Sequence, residues 1–281
     1  MDTQNSSPNL SAREAAVVAL KKNLVVPYYI AIPGIPSVAT AAVVAMPASD
    51  PLKWLAIFLA PTLFALTFVT VAGVLSMPHQ ANIVPGTFPR SLDHPVYVDR
   101  RLYGVCLTSV YYFTPIYAMV LYIPWFRKLF FILFGYRGNL DFTIHPDTWI
   151  RDLPLVSIGK GAYIANHSTI GTNIISHDNH IRVDRVKIGD YAVVGAHSLV
   201  APGAVIGAHA EIGIRTVLGL RARIGEAANV GPDCAIGHDV ILGDRVIVGR
   251  KSEIDTRSRV PADTNIAPFT RQFGTGETER A

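Results

Sequence analysis

The chain has 281 residues, 25 lysines and arginines against 21 aspartates and glutamates, half of its residues hydrophobic and only 16% charged. That balance, with no basic cluster interleaved with aromatics, argues against nucleic acid as a partner. Two cysteines in different regions, Cys106 and Cys234, suggest neither a disulfide framework nor a thiolate metal site.

Residues 1–22 read as an N-terminal cytoplasmic segment. From Asn23 to Ser49 no residue is charged, and Lys21-Lys22 and Asp50 bracket the run. A second uncharged run, Trp54 to Pro78, follows Lys53. Each is long enough to cross roughly 30 Å of hydrocarbon as a helix. Residues 23–78 are therefore expected to form a transmembrane helical hairpin turning at Pro47 to Lys53. Pro27, Pro33 and Pro36 bend its first arm, which membrane helices tolerate. A cleaved signal peptide is not expected: the apolar part is too long, and no small-residue cleavage site follows it. Arg13, Lys21 and Lys22 precede the hairpin, and Arg90, Arg100 and Arg101 follow it. The excess of positive charge on the inner side then puts both ends in the cytoplasm, at the inner membrane.

Residues 79–135 hold a third uncharged run, Leu102 to Phe126, with Pro115, Pro124 and five tyrosines, followed by Arg127 and Lys128. Basic residues on both flanks leave no asymmetry to read. A re-entrant or interfacial segment at headgroup level, in contact with membrane lipid, is the expectation.

Residues 136–267 carry a repeat. An aliphatic residue recurs every six positions from about Ile158, as in Ile188, Val194, Val200, Ile206, Ile212, Leu218, Ile224 and Val230, through to Ile266. Glycine usually follows it, and a small residue such as Ala192, Ser198 or Ala204 comes four places on. Period six suits three short strands per coil, about eighteen residues in all. The fold class is thus mainly β, a left-handed parallel β-helix of hexapeptide repeats with six or so coils, after the helical membrane hairpin and interfacial segment. The aliphatic side chains stack in a narrow core, and glycine relieves crowding beside each turn. Between Ile170 and Ile188 the core positions fall on Ser176 and Arg182, so residues 176–185 are expected to leave the coil; such breaks are where chemistry is found. Residues 268–281 form a polar tail.

Ile188 to Gly207, Ile-Gly-Asp-x-x-x-Val-Gly-Ala-x-Ser-x-Val-x-Pro-Gly-x-x-Ile-Gly, resembles the hexapeptide-repeat acyltransferases. Ile175-Ser176-His177-Asp178 looks like that family's loop with the catalytic histidine. His180-Ile181-Arg182-Val183-Asp184-Arg185-Val186 and Leu133 to Ile144 resemble the acetyltransferase-like C-terminal regions of poly-lysine synthetases. The resemblance covers about Leu133 to Ile266. It implies a homotrimer with sites at the subunit seams, acetyl-CoA as donor, and a hydroxyl or amine of a sugar, glycan or small metabolite as acceptor. One departure is that Val260-Pro261-Ala262-Asp263 leads into a polar tail and not a C-terminal helix beside the donor.

In such a transfer an imidazole takes the acceptor's proton as it attacks the thioester, and neither a metal nor a covalent enzyme intermediate is required. His177 is the first candidate base and His180 the second, with Asp178 or Asp184 to orient the ring. His197 and Arg185 are candidates for the acceptor side. Arg215 and Lys251, on a polar ladder with Asp233, are candidates for the phosphates of the donor. Three other functions compete. A zinc carbonic anhydrase of the same fold lacks its His-x-x-x-x-His pair here, since Pro202 stands five places after His197. The others are a non-catalytic trimeric scaffold and an amide-forming domain acting on an aminoacyl or peptidyl thioester.

Overall fold

The computed structural model describes residues 11–46, 52–272 and 278–280, which form two compact units. Met1–Ile83 and Phe88–Gly135 make up the first, and Val84–Thr87 with Tyr136–Ala281 the second.

The first unit is helical. Helix α1 (Ala12–Lys22) opens with a capping box, in which Ser11 and Glu14 satisfy each other's backbone N–H. Helices α2 (Val25–Val44) and α3 (Leu52–Gln80) follow, and both are long and apolar enough to cross a membrane. Much of α2's surface is exposed and apolar, as at Val26, Tyr29, Ile30, Ile35 and Val38. A helix apolar all round is suited to hydrocarbon and not to water. The expected turn at Pro47 to Lys53 lies largely in residues 47–51, outside those described. The third apolar run is broken: α4 (Pro95–Tyr112) and α5 (Thr114–Tyr122) meet at Phe113 with an 84° bend. Helix α6 (Pro124–Leu133) buries Phe126, Phe130 and Phe131, and the Tyr103 hydroxyl donates to the Phe134 carbonyl at 3.0 Å.

One feature of this unit is absent from the sequence reading. Asp99, fully buried, accepts from Lys21 Nζ at 2.6 and 2.9 Å, from His79 Nδ1 at 2.7 Å and from the Asn82 amide. The far nitrogen of His79 lies 3.0 Å from the Tyr28 hydroxyl. Four separate stretches of chain are thus tied together around one buried carboxylate, whose four hydrogen bonds from Lys21, His79 and Asn82 offset its loss of water.

The second unit is a three-faced parallel β-helix. Its first face has seven two-residue strands, Thr143–Ile144 through Val193–Val194 to Asn265–Ile266. The second face runs from Trp149–Ile150 to Thr270–Gln272, and the third from Val156–Ile158 to Arg259–Val260. Register is in steps of one coil: Val194 pairs with Ile212, Val200 with Leu218, and Ile206 with Ile224. The inward residue of each strand is almost wholly buried, and stacking builds the core.

The helix begins two strands before Ile158, inside the expected 136–267 domain, and has seven coils where six or so were expected. Ile144 and Ile150 keep the six-residue spacing. The short 3₁₀ turn Leu153–Leu155 then stretches the next interval to eight residues and hides the phase. At the other end, the first tail residues continue the second face, and Thr278–Arg280 pairs antiparallel with Thr270–Gln272.

The glycines relieve crowding beside each turn, as expected, and the crowding comes from the neighbouring coil. The turn itself is made two places later, where residues such as His197 (φ 58°), Arg215 (57°) and Asp233 (58°) adopt the left-handed conformation whatever their type. Glycine is needed because the next coil passes so close: a Cβ on Gly195 would lie 2.7 Å from Gly213 backbone atoms. At the corner between the first and second faces, the small inward residues are Ser168, Ser198, Thr216, Cys234, Ser252 and Thr270. Ser198 Oγ donates to the Gly213 carbonyl at 2.8 Å and Thr216 Oγ1 to Gly231 at 2.9 Å, so hydroxyls stitch one coil to the next.

Candidate active site

The break in the repeat is an antiparallel hairpin inserted between the second and third faces. Asn173–Ile175 pairs with His180–Val183, with Ile175 opposite Ile181, and Ser176 to Asn179 form the turn. The insertion is two hexads long, which is why Ile188 re-enters the coil in phase with Ile170.

Asp178 organises the tip. Its carboxylate accepts from the Ser176 hydroxyl and, at 3.3 Å, from the His180 backbone N–H. The Ser176 hydrogen bond above all holds this carboxyl below its ordinary range, with the backbone N–H and ring of His180 adding to it. The His180 ring is fixed in turn: its Nδ1 lies 3.0 Å from the Asp178 carbonyl and 3.4 Å from the carboxylate. A carbonyl can only accept, so Nδ1 carries the proton. In the neutral ring Nε2 is then the nitrogen with the lone pair, the form a general base needs. His177 is exposed at the turn and makes no hydrogen bond or ion pair among the described residues.

Asp184 stands at the hairpin's base. Its N–H donates to the Thr172 carbonyl at 2.9 Å, and its carboxylate accepts from the Arg185 N–H at 2.7 Å. Four residues of extended chain, roughly 13 Å, separate it from His180, so within one chain it cannot orient that ring. Of the two carboxylates considered, Asp178 is the one within reach. Beside Asp184 is a cleft of about 300 Å³, half polar, lined by Gly86, Thr87, Arg182, Pro202 and Arg221 among others. Arg185 is exposed next to it.

The remaining candidates lie on another edge. His197, Arg215 and, two coils further on, Lys251 turn the corner between the first and second faces, whereas the hairpin leaves between the second and third. A single chain therefore does not bring them to the hairpin. His197 stacks on His167, ring centres 4.7 Å apart and 16° from parallel. Arg215 is committed to Asp233 through two hydrogen bonds of 2.6 and 2.9 Å. Among the described residues Lys251 makes no hydrogen-bonded ion pair of this kind; it acts on Asp233 at longer range and lies 5.9 Å from the Phe269 ring centre. Among the described residues, no three His, Cys, Asp or Glu side chains cluster as a metal site would require.

Two residue pairs escaped the sequence reading. Tyr191 stacks on His209 at 5.2 Å on the third corner, and His238 accepts from the Leu220 N–H at 2.9 Å. Only the eighteen-residue spacing of each pair, one coil, could have signalled them.

No curated protein matches the sequence. Among solved structures, the chain is similar to the acetyltransferase domain of PglB from Neisseria gonorrhoeae in complex with acetyl coenzyme A, at 16% identity and a TM-score of 0.30. That match covers 50% of this chain and 62% of the other, so this chain spans less than two thirds of that relative's length. A variant of the N-acyltransferase AntD from Bacillus cereus, with dTDP and coenzyme A, matches at 15% identity and a TM-score of 0.29, covering 55% and 88%. PerB from Caulobacter crescentus, with CoA and GDP-perosamine, matches at 22% identity and 0.25, covering 55% and 65%. The bacterial transferase hexapeptide family, six repeats, matches residues 221–256. Those residues form strands of the fourth to sixth coils, in register with the rest of the β-helix.

Proposed function

We propose that the protein is a membrane-associated acyltransferase that moves an acetyl group from acetyl-CoA to a hydroxyl or amine of a sugar, glycan or small metabolite. The observation that carries this reading is the His180 ring. It is tied through Nδ1 to Asp178 on a hairpin that interrupts a hexapeptide β-helix, which leaves Nε2 to act as base. Nε2 takes the acceptor's proton while the acceptor oxygen or nitrogen attacks the thioester carbonyl. The tetrahedral oxyanion is held by backbone N–H groups, then collapses to the new ester or amide. The departing CoA sulfur takes the proton back from the imidazolium, and Asp178 steadies that cation meanwhile.

The Nδ1 hydrogen bond supports His180 as the base in this reading, and His177, the first candidate from the sequence and exposed at the tip, stays as the alternative. Asp184 lines the cleft at the hairpin's base, and in this reading it and the neighbouring exposed Arg185 serve the acceptor. Because one chain keeps His197, Arg215 and Lys251 away from its own hairpin, the reading requires a homotrimer, in which one subunit's hairpin meets the next subunit's first corner. There Lys251, unlike Arg215, has a cation to offer a phosphate. The α2–α3 pair anchors the protein, with the β-helix on the cytoplasmic side where acetyl-CoA is made available.

Calorimetric titration of acetyl-CoA into the detergent-solubilised protein tests the donor. Saturable binding by the wild type and by His180→Ala alike is the expected result, since the base is not a donor ligand. Absence of binding by the wild type removes the acetyl-transfer reading and leaves the scaffold and peptidyl-thioester alternatives.

A further inference from the structure

Each coil of the β-helix has three faces bounded by three corners. The hairpin leaves at the corner between the second and third faces, while His167 and His197 turn the corner between the first and second. Both corners therefore bound the second face. When three copies stand parallel around a threefold axis, each turning the same face inward, the two corners that bound this face meet at every seam, one from each neighbour. With the second face inward, the hairpin corner of one copy meets the His197 corner of the next. With the first or third face inward, one of these corners meets the corner of Tyr191 and His209 instead, and the hairpin never reaches His197.

The surface chemistry of the faces points the same way. On the second face the outward strand positions, in register from coil to coil, are Trp149, Thr169, Leu199, Val217 and Ala235. This uncharged stripe is roughly 19 Å tall at the ordinary strand spacing. Leu199 and Val217 on it are 41% and 45% exposed. Below it Glu253 meets Arg271 of the same chain at 3.4 Å. At the edge of this face the hairpin adds Ile174 and Ile175, both exposed. On the third face the outward positions include Lys187, Arg223 and Arg259, which a threefold axis would set beside like charges. On the first face Glu211, Asn229 and Asn265 interrupt the apolar positions. The core of a lasting interface is apolar and depleted of charge, which the second face alone provides.

We infer that the second face is the surface through which three copies of the chain associate, and that the hairpin of each packs against His167 and His197 of its neighbour. Cyclic symmetry keeps the copies at equal height. The hairpin leaves the second coil, so it faces the second and third coils of the next copy, where those two imidazoles stack with ring centres 4.7 Å apart. The stacked pair thereby joins the acyl-transfer site from across the seam. Lys251 stands in the sixth coil, about 19 Å further along, and serves a part of the donor remote from the thioester. The choice of face rests on the proposed meeting of hairpin and first corner; the apolar stripe supports it separately.

The test uses the full chain in mild detergent. Native mass should show a trimer for the wild type, for I247E on the first face and for R223E on the third, and a monomer for L199E/V217E. A monomeric wild type, or a trimer that survives L199E/V217E, overturns the inference. A second measurement leaves the stripe intact. Ile175→Cys on the hairpin and Asn166→Cys beside the His167 corner are placed in separately tagged chains, co-expressed and treated with a short bismaleimide; Cys106 and Cys234 are buried and stay silent. Crosslinked dimers carrying both tags are expected from the mixture and none from either variant alone. Absence of the mixed dimer overturns the inference even where L199E/V217E fails to fold. Release of CoA thiol is read on the same samples. A crosslinked trimer without thiol release would keep the surface and refute the acyl-transfer reading, whereas thiol release by a monomer would keep the chemistry and refute the surface.

Discussion

The Nδ1–H of His180 donates to the main-chain oxygen of Asp178 at 3.0 Å, two residues back across the hairpin turn. The bond comes from the backbone, so the tautomer of the ring is set by the turn and survives loss of the Asp178 side chain. His180→Ala should lower kcat about 10²- to 10⁴-fold, the usual contribution of a general base, with little change in donor affinity. Asp178→Asn should lower it far less, because the carbonyl still fixes the ring. Steady-state kinetics on both variants checks this ordering; a larger loss in Asp178→Asn would show that the carboxylate and not the turn positions the base.

The first corner offers one free cation and one that is already occupied. Arg215 is bound to Asp233 through two guanidinium nitrogens, while Lys251 makes no ion pair among the described residues and acts on Asp233 only at longer range. Lys251→Ala should weaken acetyl-CoA binding by roughly fivefold, as for one exposed ion pair with phosphate. Arg215→Ala should change it less than twofold. Titration of both variants decides, and the opposite order would mean that Arg215 exchanges Asp233 for the donor.

Coil stacking leaves no room beside the repeat glycines. Gly195→Ala puts a methyl group 2.7 Å from the Gly213 backbone and should cost about 1–3 kcal/mol, as overpacking does. Gly171, whose nearest neighbour would be the Val200 carbonyl at 3.3 Å, should tolerate alanine better. Thermal unfolding of the two variants measures the difference, and equal stability would show that the coils can separate.

The buried carboxylate of the helical unit makes a sharper demand. Asp99→Ala leaves Lys21, His79 and Asn82 without their shared acceptor, and should destabilise that unit by about 3–5 kcal/mol, as breaking a buried ion pair does. Asp99→Asn, which keeps an acceptor, should lose less. Unfolding in detergent, followed through the tyrosines, reads both.

The β-helix was legible because every coil must place an aliphatic residue in the same narrow core, and that demand repeats at six residues from Ile188 to Val260 without a break. The first two strands of its first coil were not, because the Leu153–Leu155 turn shifts the phase by two. The corner conformation left no trace in residue type: Tyr191, Arg215, Ala227, Lys251 and Phe269 all turn with positive φ. The hairpin announced itself through Ser176 and Arg182 at core positions, but its internal geometry did not. Both Asp178 and Asp184 were plausible partners for a histidine until the turn put one beside His180 and the other at the base. The network around Asp99 was invisible for another reason. Its members, at positions 21, 28, 79, 82 and 99, are brought together only by helix packing.

The central claim is that the hairpin imidazole deprotonates an acceptor in acyl transfer from acetyl-CoA. The most direct measurement is release of free CoA thiol by the membrane-reconstituted protein, across a panel of amino- and hydroxy-sugars, with wild type and His180→Ala side by side. Acceptor-dependent thiol release by the wild type, reduced at least a hundredfold in the variant, is the predicted result. Undiminished release by His180→Ala would contradict the assignment of the base, and no release by the wild type with any acceptor would contradict the account as a whole.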